Sequence, residues 1–196
     1  PELDAAAPDV RLSHPEWLYL RWSDRWGEAA AGAAMAADQE PRETWVWFLA
    51  EAARDRLEAD GVRLESHPWC PGAWAAPGRA SALLGEVAGG AAYAQDPGSQ
   101  LVAHVAAAVG GSGEPRLADL CAAPGGKLAL LLRLRRFRAA VGLDLHLGRV
   151  RLARRPVTAA GGEAVVACAD ATFAPLRPGS WDLAVVDAPC SGTGTL

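Results

Sequence analysis

Four aspartates, Asp119, Asp144, Asp170 and Asp187, each stand at or just past the end of a short apolar run: "RLADL", "AAVGLD", "EAVVACAD" and "WDLAVVDAP". Runs of this kind, separated by helical patterns or crossovers, predict parallel strands buried on both faces. In an open parallel sheet the ligand crevice lies outside the carboxyl ends of the strands, where these carboxylates would gather. A row of acceptors there suits a ligand rich in hydroxyls and amines. An aspartate can equally stand at a strand end for local reasons, as an Asx turn or a helix cap. A row of four makes that explanation weaker than it is for any one of them.

Between the first aspartate and the next helix runs "CAAPGGK", Cys121 to Lys127. A P-loop would need glycine at 121 and a hydroxyl residue at 128, where the chain has Cys121 and Leu128. A dinucleotide fingerprint is absent too, so ATP and NAD fit poorly. The glycines still let the backbone approach a ligand at a helix N-terminus, a place that favours a carboxylate. Asp144, at the end of the second strand, stands where an acidic residue grips ribose hydroxyls. An amino-acid carboxylate, a ribose and an adenine in succession describe S-adenosylmethionine. The chain carries one lysine among its 19 basic residues, Lys127, and it lies in this loop.

The elements that must position these residues run from about residue 91. "DPGSQLVAHVAAAVGG" predicts a helix capped by Asp96 or Ser99. "KLALLLRLRRF" and "LGRVRLARR" predict the helices between the strands. Residues 1–12 are expected to be linker, 13–40 a helical lead, 41–90 a small α+β domain and 91–196 the N-terminal part of a larger α/β domain. In the lead, Ser13 and Glu16 have capping-box spacing, and Gly27 and Gly32 mark places where the helix can break. In the small domain, "TWVWFLA" and "VRLESHPW" predict strands around the helix "EAARDRLEADG", and Cys70 to Gly90 is expected to be irregular.

Composition excludes several classes. A net charge of -4 argues against nonspecific coating of nucleic acid. Cys70, Cys121, Cys168 and Cys190 form no C-x-x-C pair, so neither a zinc site nor a disulfide framework is indicated, which fits a reducing cytoplasm. No apolar run reaches the roughly 18 residues of a membrane span. The chain starts at Pro1 and closes in a Gly/Ser/Thr-rich turn, which is expected of a piece of a longer protein. Arginines 133, 135, 136, 138, 149, 151, 154 and 155 favour solvated helix faces over phosphate contacts. Seven of the eight tryptophans precede residue 75, where packing of a small domain is favoured over base stacking.

"DLCAAPGGK" followed by "DAPCSGTGTL" resembles the first and fourth motifs of the Nol/Nop/Sun family of RNA cytosine-C5 methyltransferases. "SHPEWLYLRW" and "YAQDPGSQLVA" resemble flanking segments of its bacterial ribosomal RNA branch, the RsmB (Sun) type. The resemblance covers roughly residues 13–196 and stops after the fourth motif. It implies a Rossmann-like α/β, class I methyltransferase sheet, of which this chain holds the first four strands. It implies that Cys121, Ala122, Ala123, Pro124, Gly125, Gly126 and Lys127 wrap the methionine end of S-adenosylmethionine, that Asp144 holds the ribose, and that Asp170 lies near the adenine. Asp187 would contact the cofactor's methyl region and the target base, which makes it a catalytic candidate. Cys190 would assist product release, the attacking cysteine belonging to a later Thr-Cys-Ser-type motif not found here. The implied partner is RNA, ribosomal RNA for the branch resembled, acted on by a cytoplasmic monomer with no metal and no membrane attachment. Two rival readings stay open: a DNA cytosine-C5 methyltransferase using Cys190 as nucleophile, and a truncated protein that binds RNA or cofactor without turnover. The chain departs from the family pattern at Leu128, at Pro156 and in "TWVWFLAE".

Overall fold

The computed structural model describes residues 6–40, 42–109 and 111–190. Their contacts resolve two compact units, one built before Glu43 together with Pro189 and Cys190, the other spanning Glu43–Ala188.

The first unit is helical: α1 (Pro8–Arg11), α2 (Glu16–Trp26) and α3 (Glu28–Gln39). The expected linker thus contains one helical turn. The capping box does not form: Pro15 occupies the N-cap of α2 and no side chain caps it. Ser13 is held instead at a φ of 54°. Gly27, at a φ of 85°, divides α2 from α3, whereas Gly32 lies inside α3. Leu18, Ala31 and Met35 form the buried contact of this unit.

The second unit runs β1 (Trp45–Phe48), α4 (Glu51–Ala59), β2 (Glu65–Ser66), β3 (Trp74–Ala75), α5 (Ala80–Ala88), β4 (Ala92–Ala94), α6 (Pro97–Val109), β5 (Arg116–Asp119), α7 (Gly126–Leu134), β6 (Ala139–Asp144), α8 (Leu147–Ala159), β7 (Val165–Cys168), a 3₁₀ turn (Ala171–Phe173) and β8 (Leu183–Val185). The stretch expected to be irregular, Cys70 to Gly90, contains β3 and α5. The strand expected over "VRLESHPW" shrinks to two residues.

The short strands form an antiparallel sheet in the order β2-β3-β1-β4. Its edge strand β4 pairs with β1 from Val46↔Ala94 to Phe48↔Ala92, so the sheet draws a strand from beyond Gly90. The period-2 alternation of β1 explains its burial on both faces. Val46 and Phe48 join Ala53, Leu57 and Leu83 in one core, while Trp47 enters a second core beside α6, α7 and α8.

The second sheet is parallel, in the order β7-β6-β5-β8. All four strands expected before the aspartates are present. The chain leaves β5 toward β6 and β7 on one side and returns on the other as β8, which makes the β5/β8 boundary the topological switch point, where a ligand crevice opens in such sheets. Leu117, Leu128, Leu131, Val150 and Ala153 pack the helices against one face of this sheet. The other face, Ala118, Val141 and Leu143, is covered by Leu176 and Trp181 from the segment before β8 and, among the described residues, by no helix. Val165 and Ala184 are exposed, so the expected burial on both faces holds only for the central strands β5 and β6. Pro156 does not end α8, which continues to Ala159. Leu128 is fully buried in the same core, so the family's usual hydroxyl position serves packing here.

Candidate functional site

Beyond Asp119 the chain pairs with both neighbouring strands. The Leu120 N–H donates to the Val185 carbonyl (2.9 Å), and the Ala122 N–H to that of Leu143 (2.8 Å). The loop therefore straddles the switch point before α7 begins. Its turn needs glycine at 125. Gly125 has a φ of 105°, and a Cβ there would lie 2.8 Å from the Ala153 backbone and 2.9 Å from the Pro156 ring. At Gly126 an added Cβ would lie 2.6 Å from the Tyr93 ring. The loop is thus wedged between α8 and β4. No side chain caps the N-terminus of α7, so its first N–H groups are left for other acceptors.

A cleft of about 250 Å³ opens over this loop. Cys121, Ala122, Ala123, Pro124, Gly126, Lys127 and Asp187 line it, together with residues 93–96 and Ser99. Gly125 shapes the turn without lining the cleft. The Lys127 ammonium donates to Asp187 Oδ2 at 2.6 Å and to Ser99 Oγ at 2.9 Å. Ser99 is placed by α6, whose cap is Asp96: its Oδ1 accepts from the Gly98 N–H (2.7 Å) and the Ser99 N–H (3.4 Å). Lysine reaches across the cleft because its ammonium is a compact charge on a long, flexible stem.

Asp144 is buried at the end of β6. Its Oδ1 accepts from the His146 N–H at 3.0 Å, and Oδ2 lies 3.7 Å from Arg149 Nε. Arg149 also donates to the Ala123 carbonyl at 2.8 Å, tying this carboxylate to the loop, although Asp144 itself does not line the cleft. Asp170 stands apart. It is exposed, does not line the cleft, and uses Oδ1 to accept from the Thr172 N–H (2.8 Å) and hydroxyl (2.6 Å). The hydroxyl bond, then the N–H bond, hold its carboxyl below the ordinary value. Cys190 is exposed and belongs to the first unit. Residues 191–196, the remainder of its motif, lie outside the described residues.

Asp119 is the site residue that the sequence reading left without a role. It is 1% exposed, and Oδ1 accepts from the Cys121 N–H at 3.1 Å. Burial pushes its carboxyl up to about 6, with the Asp187 and Asp144 charges acting the same way and the Cys121 N–H and Lys127 opposing. The thiol of Cys121 is raised as well, first by burial and then by the Asp119, Asp144 and Asp187 carboxylates, with Arg149 opposing. Both influences disfavour the thiolate form of Cys121. Asp119 was visible in the row of aspartates; its burial was not. Ser99 was visible only as a candidate helix cap and Arg149 only as one of the arginine run, with nothing to tie either to the loop. Of the arginine run, Arg135, Arg149 and Arg154 bond backbone carbonyls, Arg149 and Arg154 while remaining exposed. Among the described residues, no group of three acids, histidines or cysteines is placed to hold a metal, and no helix is long and apolar enough to cross a membrane.

Comparison with known proteins agrees with this geometry. Residues 106–196 match the family model described as 16S rRNA methyltransferase RsmB/F. The chain is 32% identical to "Probable ribosomal RNA small subunit methyltransferase B" of Bacillus subtilis, over all of this chain and 46% of that protein. It is 33% identical to ribosomal RNA small subunit methyltransferase B of Xylella fastidiosa, over 93% of this chain and 43% of that protein. The chain thus spans under half the length of these curated relatives. Among solved structures, a methyltransferase homolog protein from Pyrococcus horikoshii superposes with a TM-score of 0.75 at 23% identity, over 100% of this chain and 65% of that one. NSun6 from Pyrococcus horikoshii with SFG gives 0.72 at 15% identity, over 90% and 71%. At these identities the likeness establishes the fold, the Rossmann-like α/β sheet of methyltransferases.

Proposed function

We propose that this chain, whose residues 106–196 match the 16S rRNA methyltransferase RsmB/F family model, forms part of an enzyme that transfers a methyl group from S-adenosylmethionine to cytosine C5 of ribosomal RNA. The observation that carries this reading is the cleft at the β5/β8 switch point, where one lysine bridges the loop to Asp187.

The residues fit the cofactor. The uncapped start of α7 offers N–H donors to an amino-acid carboxylate. Asp144, fixed by His146 and Arg149, presents a carboxylate edge to ribose hydroxyls. Asp170 is assigned to the adenine side, with its loop ordered by Thr172. When bound, the cofactor supplies an electrophilic methyl group. Lys127 holds Asp187 by Oδ2; among the described residues Oδ1 has no partner, so it is available to the base. Cytosine C5 is a weak nucleophile until a thiolate adds to C6, and a group at N3 stabilises the charge as that adduct forms. Asp187 takes the N3 position, where it donates a proton as the adduct forms. Once C5 carries the methyl group, loss of the C5 proton expels the thiolate and restores the ring. The attacking cysteine is assigned to a Thr-Cys-Ser-type motif outside these residues, and Cys190 to release of the methylated base.

Calorimetric titration of this chain with S-adenosylmethionine tests the cofactor half. Binding is expected, and Asp144→Ala is expected to weaken it about thirtyfold, the loss of about 2 kcal/mol of charge-assisted hydrogen bonding. Absence of binding sinks the reading. In the longer protein, Cys190→Ala is expected to accumulate a covalent protein–RNA adduct on gels. Loss of the adduct would make Cys190 the nucleophile.

A further inference from the structure

A second hollow, of about 330 Å³, lies beside the cleft and shares Asp96 with it. Trp45, His67, Trp69, Cys70 and Leu101 form most of its remaining wall. His67 stands edge-on to both tryptophans, with ring centroids 4.9 Å from Trp45 at 80° and 6.1 Å from Trp69 at 79°. The Trp69 N–H donates to His67 Nδ1 at 3.4 Å, so in the neutral ring the proton sits on Nε2, a donor. Trp69 is 80% exposed. Core packing accounts for Trp47, which bonds Gln95 through Nε1; Trp69 instead joins His67 and Trp45 in a row of rings lining the hollow.

The wall chemistry selects the ligand. No lysine or arginine lines this hollow, and its one ionisable acid, Asp96, disfavours phosphate. Flat aromatic faces, one carboxylate acceptor and one imidazole donor match the face and the hydrogen-bonding edge of a nucleobase. We propose that this hollow binds an unpaired RNA base flanking the target cytosine, stacked on Trp69, with its edge toward Asp96 and His67. Seating a neighbouring base there would hold the strand splayed while the target enters the cleft on the other side of Asp96. The identity of the strand rests on the methyltransferase reading; the base site rests on the hollow itself.

The test is fluorescence anisotropy with a labelled ten-nucleotide single-stranded RNA of mixed sequence and this chain as wild type, Trp69→Ala and Trp69→Phe. Base stacking on one aromatic ring predicts about tenfold weaker binding for Trp69→Ala, and Trp69→Phe within about threefold of wild type. Affinity for S-adenosylmethionine should be the same in all three. Ultraviolet crosslinking should attach the RNA to the peptide containing Trp69. Wild-type affinity in Trp69→Ala, no RNA binding by a chain that binds the cofactor, or an equal loss against duplex RNA of the same length would each overturn the proposal. The first of these would assign the exposed ring to a protein partner. A chain that binds RNA through Trp69 but no cofactor would support the base site while removing the methyltransferase reading.

Discussion

The two sheets of the Glu43–Ala188 unit solve the same burial problem in different ways. The parallel sheet is covered on one face by helices α6, α7 and α8 and on the other by the segment between β7 and β8, and it places its polar residues just past the strand ends. The antiparallel sheet is built from strands of two to four residues, and its central strand β1 pairs with β3 and β4, which are distant in sequence. Its distinctive side chains are aromatic, and several project from the strands or the turns between them. The difference teaches where each sheet can host chemistry. A parallel sheet concentrates ligands at one edge of the layer, at the switch point. A short antiparallel sheet has no such edge and offers a surface, here the Trp45–His67–Trp69 hollow.

That contrast can be broken by substitution. The largest effect is expected for Gly125→Ala, whose Cβ would meet the Ala153 backbone at 2.8 Å in a left-handed turn. A cost of about 3–4 kcal/mol in urea unfolding, with loss of cofactor binding in calorimetry, is expected. Leu83→Ala, in the fully buried core of the antiparallel part, should cost about 3 kcal/mol yet leave cofactor affinity unchanged in the folded fraction. Cofactor loss in both variants would mean that the two sheets do not act separately. Asp119→Asn comes next. With its folded value raised to about 6, ionised Asp119 disfavours the folded state at neutral pH, and the penalty disappears as pH falls through 6 toward 4. The amide variant should therefore be more stable than wild type by about 2–3 kcal/mol at pH 7, with the gap closing below pH 4. Denaturant titrations across that range read it; a pH-independent gap would remove the burial explanation.

The parallel sheet was legible because each strand is an apolar run closed by a carboxylate, and because the intervening helices have strong periodicity. The antiparallel sheet was legible only at β1. Glu65–Ser66 and Trp74–Ala75 are too short to show alternation, and Ala92–Ala94 reads as the start of the next element until it is seen paired with β1. The loop residues of the site were visible as a motif. The ties of Ser99 and Arg149 to that loop and the burial of Asp119 were not, since each depends on which helix packs beside the loop.

Sequence alone determined the residue types at the strand ends, the glycines that let the loop turn, and the single lysine placed within it. Those follow from local chemistry: a left-handed turn at Gly125 needs glycine, and an apolar strand has to be covered by packed side chains. Only the tertiary structure decided that Lys127 joins Asp187 to Ser99, that Cys121 sits among acids, and that Trp69 rims a hollow sharing Asp96 with the cleft. The reason is physical. Each of those pairings joins residues distant in the chain, and their distance in space is set by how helices and sheets pack, which no local pattern encodes.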